Sequence, residues 1–198
     1  NLGEHVKNIL GYAKHVECIP MGVVDNSDLR KTKVVNKYID KYFNKEYFNI
    51  VYAGSIGITN ALETFFKAAL ILKKNEKIRF VVVGDGNLKN FFKKKYDYLP
   101  NVIFAPKVYK NQVQTILSFS NIVYLSVFKS KVWDYGQSLN KVIDYMYAGK
   151  PILASYSGYP SMINEAKCGF FVPAEDERAL ANKIEELFLM SDEELYKI

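Results

Sequence analysis

Histidine, cysteine and tryptophan are scarce in this chain, whose 198 residues include two histidines, two cysteines and one tryptophan. His5 and His15 follow no metal-ligand spacing, and neither do Cys18 and Cys168. Two buried thiols in a reducing compartment explain the cysteines more simply than a disulfide does. The sequence therefore predicts no metal site and no disulfide framework.

Long hydrophobic runs are also missing. No stretch reaches the ~18 uninterrupted apolar residues that a membrane-spanning helix needs. The chain carries no secretory signal and begins at Asn1 rather than at a methionine, and residues 191–198 look like a helix that breaks off. We therefore expect a fragment of a longer protein that works in the cytoplasm.

Several catalytic signatures are absent as well. The sequence contains neither the Gly-x-x-x-x-Gly-Lys-Ser/Thr phosphate loop nor a complete Gly-x-Gly-x-x-Gly dinucleotide fingerprint. The segment Ser155-Tyr156-Ser157-Gly158 looks superficially like a nucleophile elbow, but a loop after a strand explains it better. These absences disfavour kinases, NTPases and simple dehydrogenases. No residue stands out as a general base, so the catalytic residues stay unassigned.

What the chain does have is a globular composition with a basic charge. Apolar residues make up 49% of it, which excludes a disordered chain, and its length suits one domain with a sizeable core. The net charge is +6, but the lysines are spread along the chain apart from Lys93-Lys94-Lys95, which is typical of a solvated helix face. The charge therefore gives no reason to expect a nucleic-acid partner.

Strand and helix patterns alternate along most of the chain. Six short segments rich in Val, Ile, Phe and Tyr are bounded by Gly, Pro, Asn or Ser, as buried parallel strands are. They are 48–53, 78–83, 102–104, 121–126, 151–154 and 170–172. Helical patterns occupy roughly 60–73, 87–96, 110–119, 139–148, 158–166 and 176–189. These repeated units predict an α/β fold, a Rossmann-like open parallel sheet of about six strands with helices on both faces.

The N-terminal part is less regular. Residues 3–13 are predicted to be helical, 16–19 to form a strand and 20–22 a turn. The highly charged segment 28–43 is predicted to be an exposed helix with a connection.

The stretch 134–153 combines a polar loop, an amphipathic helix, a Gly stop and an apolar strand. Its loop holds Gly136, Ser138, Asn140 and Lys141 just where the helix begins. Free N–H groups and the positive dipole end of a helix attract an anion, and the lysine adds a mobile charge. Asp144, about one turn further, could accept hydrogen bonds from sugar hydroxyls. This is the chemistry needed to hold a phosphorylated sugar.

Ligands of such sheets bind beyond the carboxyl ends of the strands. There the sequence places Gly54-Ser55-Ile56-Gly57, Gly84-Asp85-Gly86, Pro106-Lys107-Val108, the segment 126–131 and the loop 134–144. Gly54 and Gly57 would let the backbone approach a diphosphate closely. We expect these turns to converge on one crevice. Trp133 either packs over its own loop or stacks on a substrate ring.

Several segments, taken in order, resemble the C-terminal, donor-binding domain of a GT-B glycosyltransferase of the family 4 type (glycosyl transferases group 1). Residues 16–23 are similar to the crossing that opens that domain, and Ala148-Gly149-Lys150-Pro151-Ile152 is similar to the family's Ala-x-Gly-x-Pro-Val turn. The other matching segments are 50–55, 80–86, 121–125 and 168–187. The resemblance implies the C-terminal half of a GT-B fold, with residues 1–24 as the inter-domain crossing and 25–198 as the donor domain. The N-terminal acceptor domain would be absent from this chain.

The resemblance also assigns roles to individual residues. The donor diphosphate would lie against Gly54, Ser55, Gly57, Ser138, Asn140 and Lys141. The nucleotide base would lie at Lys107 and Val108, and the ribose at Asp144, which takes the second acidic place of the family's Glu-x7-Glu motif.

The chain departs from the family pattern at three places. The first acidic position of Glu-x7-Glu falls on Gly136, the common Arg falls on Ser55, and the usual helix Lys falls on Asn60. The form Ser-x-Asn-Lys-x-x-x-Tyr-Met-x-Ala-Gly-Lys-Pro is instead similar to a bacterial branch that makes polysaccharide or O-antigen from UDP-N-acetylated sugars. In that branch Lys141 would supply the charge lost at Ser55 and Asn60.

The function implied by the resemblance is transfer of a sugar from a nucleoside diphosphate donor, expected to be a UDP-sugar, to a glycan or lipid-linked acceptor in bacterial cell-surface polysaccharide synthesis. Transfer would retain the anomeric configuration and need no metal or other cofactor. The acceptor would bind through the missing domain, at the inner face of a membrane, with peripheral membrane association, and the chain alone would catalyse little. Two alternatives stay open: a non-catalytic sugar-nucleotide-binding domain and a UDP-N-acetylglucosamine 2-epimerase-like enzyme.

Overall fold

The computed structural model describes residues 2–11, 17, 19, 22, 36–137 and 139–198. Of the predicted strand at 16–19 only residues 17 and 19 are described, and of the turn at 20–22 only residue 22. The proposed crossing segment 1–24 is described at 2–11, 17, 19 and 22. Ser138 and Cys18 lie outside the described residues.

Six parallel strands form one sheet in the order β3-β2-β1-β4-β5-β6. The strands are β1 Phe48–Ala53, β2 Ile78–Val83, β3 Val102–Ala105, β4 Ile122–Ser126, β5 Ile152–Ser155 and β6 Gly169–Val172. Each coincides within one or two residues with a predicted strand, so the predicted sheet is confirmed. The chain winds outward from β1 to β3 and then returns to place β4 on the other side of β1, and this reversal opens a crevice at the carboxyl edge.

The ends of the first three strands are level with one another. Ala53 pairs with Val83, and Val83 pairs with Ala105, so β1, β2 and β3 stop at the same edge. The three turns that follow these strands therefore meet at that edge, as the sequence predicted.

The helices are α1 Leu2–Leu10, α2 Asn36–Tyr42, α3 Glu63–Ile71, α4 Lys89–Tyr96, α5 Val113–Leu117, α6 Asn140–Tyr147, α7 Met162–Ala166, α8 Glu177–Phe188 and α9 Asp192–Tyr196. Some begin later than predicted, for identifiable reasons. The pattern at 60–73 is split because Ile58–Asn60 forms a separate 3-10 helix that ends at Ala61, whose φ is +43°. The pattern at 158–166 becomes helical only after Ser161, whose side chain caps α7. Among the described residues, no helix is long and apolar enough to span a bilayer.

Helices cover both faces of the sheet, and each face has its own apolar core. Successive side chains of β1 lie on opposite faces of the sheet. Tyr52 belongs to the core formed with α3 and α8, whereas Val51 belongs to the core formed with α5 and α6. Burial on both faces explains why the strands are continuous apolar runs rather than alternating ones. The fold positions the carboxyl edge as a rigid rim.

The aromatic side chain of Phe65 is central to the first core. It is fully buried, with its ring centroid 4.6 Å from that of Tyr124 and 5.0 Å from that of Phe80. We expect Phe65→Ala to lower the free energy of unfolding by about 3–5 kcal/mol, because it removes this contact area and leaves a cavity. Chemical denaturation monitored by circular dichroism measures the change.

Phe91→Ala is the matched control, because the Phe91 side chain is 53% exposed on α4. Its effect should stay within about 0.5 kcal/mol. Equal losses for the two variants would contradict the assignment of Phe65 to the core.

Candidate functional site

A cleft of about 760 Å³ lies at the carboxyl edge of the sheet. Its walls come from the turns after β1 (53–55) and β2 (83–85), the segment after β3 (107, 108, 110 and 113) and the start of α6 (139–141 and 144). Four segments that are far apart in the sequence thus share one concave surface.

Seven of the nine predicted site residues line this cleft, namely Gly54, Ser55, Lys107, Val108, Asn140, Lys141 and Asp144. Gly57 is not among the lining residues; its extended backbone (φ −126°) opens the 3-10 helix at Ile58–Asn60. Ser138 lies outside the described residues. Most of the residues predicted for the site thus share one concave surface.

Two glycines keep the first two turns close together. A Cβ on Gly84 would lie 1.9 Å from the carbonyl oxygen of Gly54, so no larger residue fits there. A Cβ on Gly54 would lie 3.3 Å from the Tyr52 hydroxyl and 3.6 Å from the Lys141 ammonium. The missing side chains leave the backbone and the ammonium accessible at the same point, which suits a small anionic group.

The Lys141 side chain reaches back from α6 under the first turn. Its Nζ donates hydrogen bonds to the Tyr52 hydroxyl (2.9 Å) and to Asn60 Oδ1 (2.5 Å). No carboxylate of a described residue forms an ion pair with it. Burial lowers the pKa of Lys141 from 10.5 to about 8, because a desolvated cation without a counter-ion is unfavourable. The cleft thus holds a partly buried positive charge that lacks a negative partner.

Tyr52, Asn60 and the carbonyl of Ser55 complete this arrangement. The Tyr52 hydroxyl donates to the Ser55 oxygen (2.6 Å), and Asn60 Nδ2 donates to the same oxygen (3.0 Å). The hydroxyl oxygen of Tyr52 and Oδ1 of Asn60 can therefore both accept hydrogen bonds from Lys141 Nζ. The ammonium therefore lies against the side chain of Asn60. The motif spacing did not reveal the role of Tyr52.

Tyr145, in the second half of α6, holds this helix against β1. Its hydroxyl accepts a hydrogen bond from Ala53 N (3.0 Å) and donates one to Ala53 O (3.1 Å), and burial raises the pKa of Tyr145. The N-cap residue Leu139 offers no side-chain hydrogen bond to the first turn. Because no side chain of a described residue caps them, N–H groups of that turn are available for an anion in the cleft.

On the other side of the cleft, Asp144 has partners that the sequence did not predict. Both of its carboxylate oxygens accept from Lys110 Nζ, at 2.9 and 2.7 Å. Gln114 Nε2 donates to the main-chain oxygen of Asp144 (2.9 Å). No spacing rule links residues 110 and 144, so only the tertiary structure could find this ion pair.

A second lysine holds the turn after β2. Lys89 Nζ donates to Gly84 O (2.7 Å) and lies 3.4 Å from Ala105 O. It joins the ends of β2 and β3 below the cleft, and no sequence pattern indicates this contact.

The contacts of Trp133 distinguish between packing over its own loop and stacking on a substrate ring. Its indole N–H donates to Phe128 O (2.9 Å), and its carbonyl accepts from Tyr159 N (2.8 Å) and the Tyr156 hydroxyl. Trp133 is not among the residues that line the cleft. The indole therefore packs over its own loop, which is the first of the two interpretations.

Gly136 follows this loop with φ +116°, and a Cβ there would meet no atom within 4 Å. The backbone angle, rather than lack of space, favours glycine at this position.

Within the described part of the chain, no three His, Cys, Asp or Glu side chains are grouped closely enough to hold a metal ion. The thiol of Cys168 is free.

The depressed pKa of Lys141 makes stability depend on pH. Between about pH 8 and 10.5 the unfolded chain keeps a proton on this lysine that the folded chain has lost, so the free energy of unfolding rises with pH. In phosphate-free buffer we expect the wild type to gain on the order of 2 kcal/mol relative to Lys141→Met between pH 7 and pH 10. Urea denaturation at each pH measures the difference.

Lys94→Met, which removes an exposed lysine of α4, is the control and should show no such gain. A pH-independent difference between the wild type and Lys141→Met would mean that the pKa of Lys141 is ordinary.

Comparison with known proteins identifies relatives of this architecture. The chain matches the model of the family Glycosyl transferases group 1 over residues 47–189. The C-terminal domain of LpcC, a glycosyl transferase group 1 family protein from Francisella tularensis, superposes with a TM-score of 0.63 at 20% identity, over 88% of each chain. WaaG, a glycosyltransferase involved in lipopolysaccharide biosynthesis, has a TM-score of 0.65 at 17% identity over 89% of this chain. No curated protein matches the chain significantly.

HepE from Anabaena, solved with UDP and glucose, has a TM-score of 0.58 at 14% identity over 84% of this chain. The match covers 44% of HepE, and that with WaaG covers 48% of WaaG, so this chain spans about half the length of those two proteins. At these identities the structural likeness shows a shared fold.

Proposed function

Since the chain belongs to the glycosyl transferases group 1 family, we propose that it is the domain that binds the donor, a nucleoside diphosphate sugar, for transfer to an acceptor. The fold is that of the C-terminal domain of GT-B glycosyltransferases. We further propose that the donor is UDP-linked and that the acceptor is a glycan or a lipid-linked sugar in bacterial cell-surface polysaccharide synthesis. HepE and WaaG support the donor and the pathway by analogy.

The observation that carries the proposal is the Lys141 ammonium. A partly buried cation with no carboxylate partner among the described residues is unfavourable unless a ligand supplies the negative charge. It lies in a cleft next to an uncapped helix start and two glycine turns. A diphosphate satisfies all three features at once, because it brings negative charge and acceptor oxygens to the same place.

The remaining cleft residues suit the nucleoside and the sugar. Lys107 and Val108 lie on the segment after β3, where their backbone groups would hold the base. Asp144 would accept hydrogen bonds from the ribose. Gly54, Ser55, Ser138 and Asn140 would complete the diphosphate site around Lys141, whereas Gly57 does not line the cleft.

Catalysis in this scheme relies on charge stabilisation. The α6 dipole and Lys141 would stabilise the leaving diphosphate, so no metal or other cofactor would be required. The resemblance to the family implies that transfer would retain the anomeric configuration. Acceptor recognition would belong to a separate N-terminal domain preceding the crossing at residues 1–24. The chain alone would bind the donor weakly and catalyse little. The enzyme would work in the cytoplasm at the inner face of the membrane.

One observation favours a second candidate, a non-catalytic domain that binds sugar nucleotides. Gly136 brings no carboxylate to the position where the family has an acidic residue. An epimerase-like enzyme has less support, because none of the described residues that line the cleft is a histidine.

Lys141→Ala tests the diphosphate assignment. We expect the Kd for UDP to rise about tenfold or more, because a charge-assisted hydrogen bond to the phosphates is lost. Titration of the wild type with UDP, GDP and ADP, with binding measured by calorimetry or NMR, establishes the base preference in the same experiment.

Lys94→Ala changes the net charge equally but lies on α4, away from the cleft, and should bind UDP like the wild type. An unchanged affinity of Lys141→Ala would refute the assignment. A loss of binding in both variants would indicate a nonspecific charge effect.

Product analysis separates the candidate functions. The chain joined to its acceptor-binding domain should transfer sugar from a UDP-sugar with retention, as seen by mass spectrometry and NMR of the product. Epimerised donor would favour the epimerase-like enzyme, and binding without turnover would favour the non-catalytic domain.

A further inference from the structure

The ion pair between Lys110 and Asp144 links two walls of the cleft. Lys110 begins the 3-10 helix Lys110–Gln112 that follows β3, and Asp144 lies in the middle of α6. Both residues line the cleft. The pair therefore borders the space between the base side, at 107 and 108, and the phosphate side, at 140 and 141.

Structural stability gives little reason for this pair. The Lys110 side chain is 76% exposed and that of Asp144 is 24% exposed. An ion pair with one partner in solvent contributes little to folding, because water screens it and the long lysine side chain loses rotamer freedom. Gln114 already joins the same two walls through its hydrogen bond to the Asp144 main-chain oxygen. The lysine is therefore available for a role in binding.

The pair retains hydrogen-bonding capacity. A carboxylate has about four acceptor positions, and the ammonium occupies two of them, at 2.9 and 2.7 Å. An ammonium has three donors, so at least one remains free. Two acceptors and one donor are thus presented side by side. This set complements two adjacent hydroxyl groups, each of which donates one proton and accepts another.

We propose that Lys110 determines specificity for ribonucleotides by acting with Asp144 on the two neighbouring hydroxyls of the ribose. The carboxylate accepts from both hydroxyls, and the ammonium donates to a hydroxyl oxygen while it fixes the orientation of the carboxylate. This inference rests on the proposed function, which places the ribose at Asp144. Nothing in the sequence patterns assigned a role to Lys110.

Removing one ribose hydroxyl from the ligand should therefore weaken its binding to the wild type more than its binding to a variant without Lys110. We expect the wild type to bind UDP about tenfold or more tightly than 2′-deoxy-UDP, since the deoxy sugar leaves polar groups of the pair unsatisfied. Lys110→Met should weaken UDP binding several-fold, change 2′-deoxy-UDP binding by less than about twofold, and so lower the preference. NMR titration measures weak affinities of this kind.

Inorganic pyrophosphate is the probe that separates this inference from the proposed function. Its affinity should be the same for the wild type and Lys110→Met, because it has no ribose. Lys110→Arg keeps the charge and the ion pair and should retain most of the preference, whereas Lys94→Met, the charge-matched control, should retain all of it.

The outcomes are distinct. If Lys110→Met keeps the wild-type preference, weakens all three ligands equally, or binds UDP more tightly, the inference is wrong while the proposed function stands. The same holds if the wild type binds UDP and 2′-deoxy-UDP equally. If the wild type binds neither UDP nor pyrophosphate, the proposed function fails and the inference fails with it.

Discussion

The hydrogen bonds of the Lys141 ammonium are the interaction on which the candidate site depends. They join α6 to the end of β1 through Tyr52 and to the 3-10 helix through Asn60. The same two side chains hold the Ser55 carbonyl, so the turn after β1 is shaped around the charge. Burial without a counter-ion opposes the charged state. The protein thus keeps an electrostatically unfavourable group where a binding site for an anion would benefit from it.

The sheet makes this arrangement rigid. β1, β2 and β3 end level with one another, and the glycines at 54 and 84 let the following turns touch. Tyr145 fastens α6 to Ala53 from within the second core. Lys89 joins the ends of β2 and β3. Ligand groups in the cleft would therefore meet preorganised backbone and side chains, which reduces the entropy lost on binding. In the ion pair at the edge of the cleft, the Lys110 side chain is more exposed than that of Asp144.

Much of the fold and of the candidate site was predictable because the signals are local. Buried parallel strands are short apolar runs between Gly, Pro, Asn and Ser, and every predicted strand from residue 48 onward is confirmed. The glycine turns follow β1 and β2 directly, and the loop before α6 lies in the connection between β4 and α6, so their convergence followed from the sheet rule. Helix starts were less accurate, because Ala61 and Ser161 end or cap segments through their own backbone and side-chain geometry. The packing of Trp133 also needed the structure, since a lone aromatic residue in a loop has no periodicity.

The strand–helix alternation, the parallel sheet and seven of the residues that line the cleft can be read from local sequence, because each depends on neighbours within a few positions. The partners of the charged side chains depend on the three-dimensional fold. Lys141 meets Tyr52 and Asn60 across 89 and 81 residues, and Lys110 meets Asp144 across 34 residues. Such contacts arise from the order and level of the strands rather than from spacing along the chain. Only the folded chain could therefore show that Lys141 has no carboxylate partner among the described residues, whereas Lys110 is paired with Asp144.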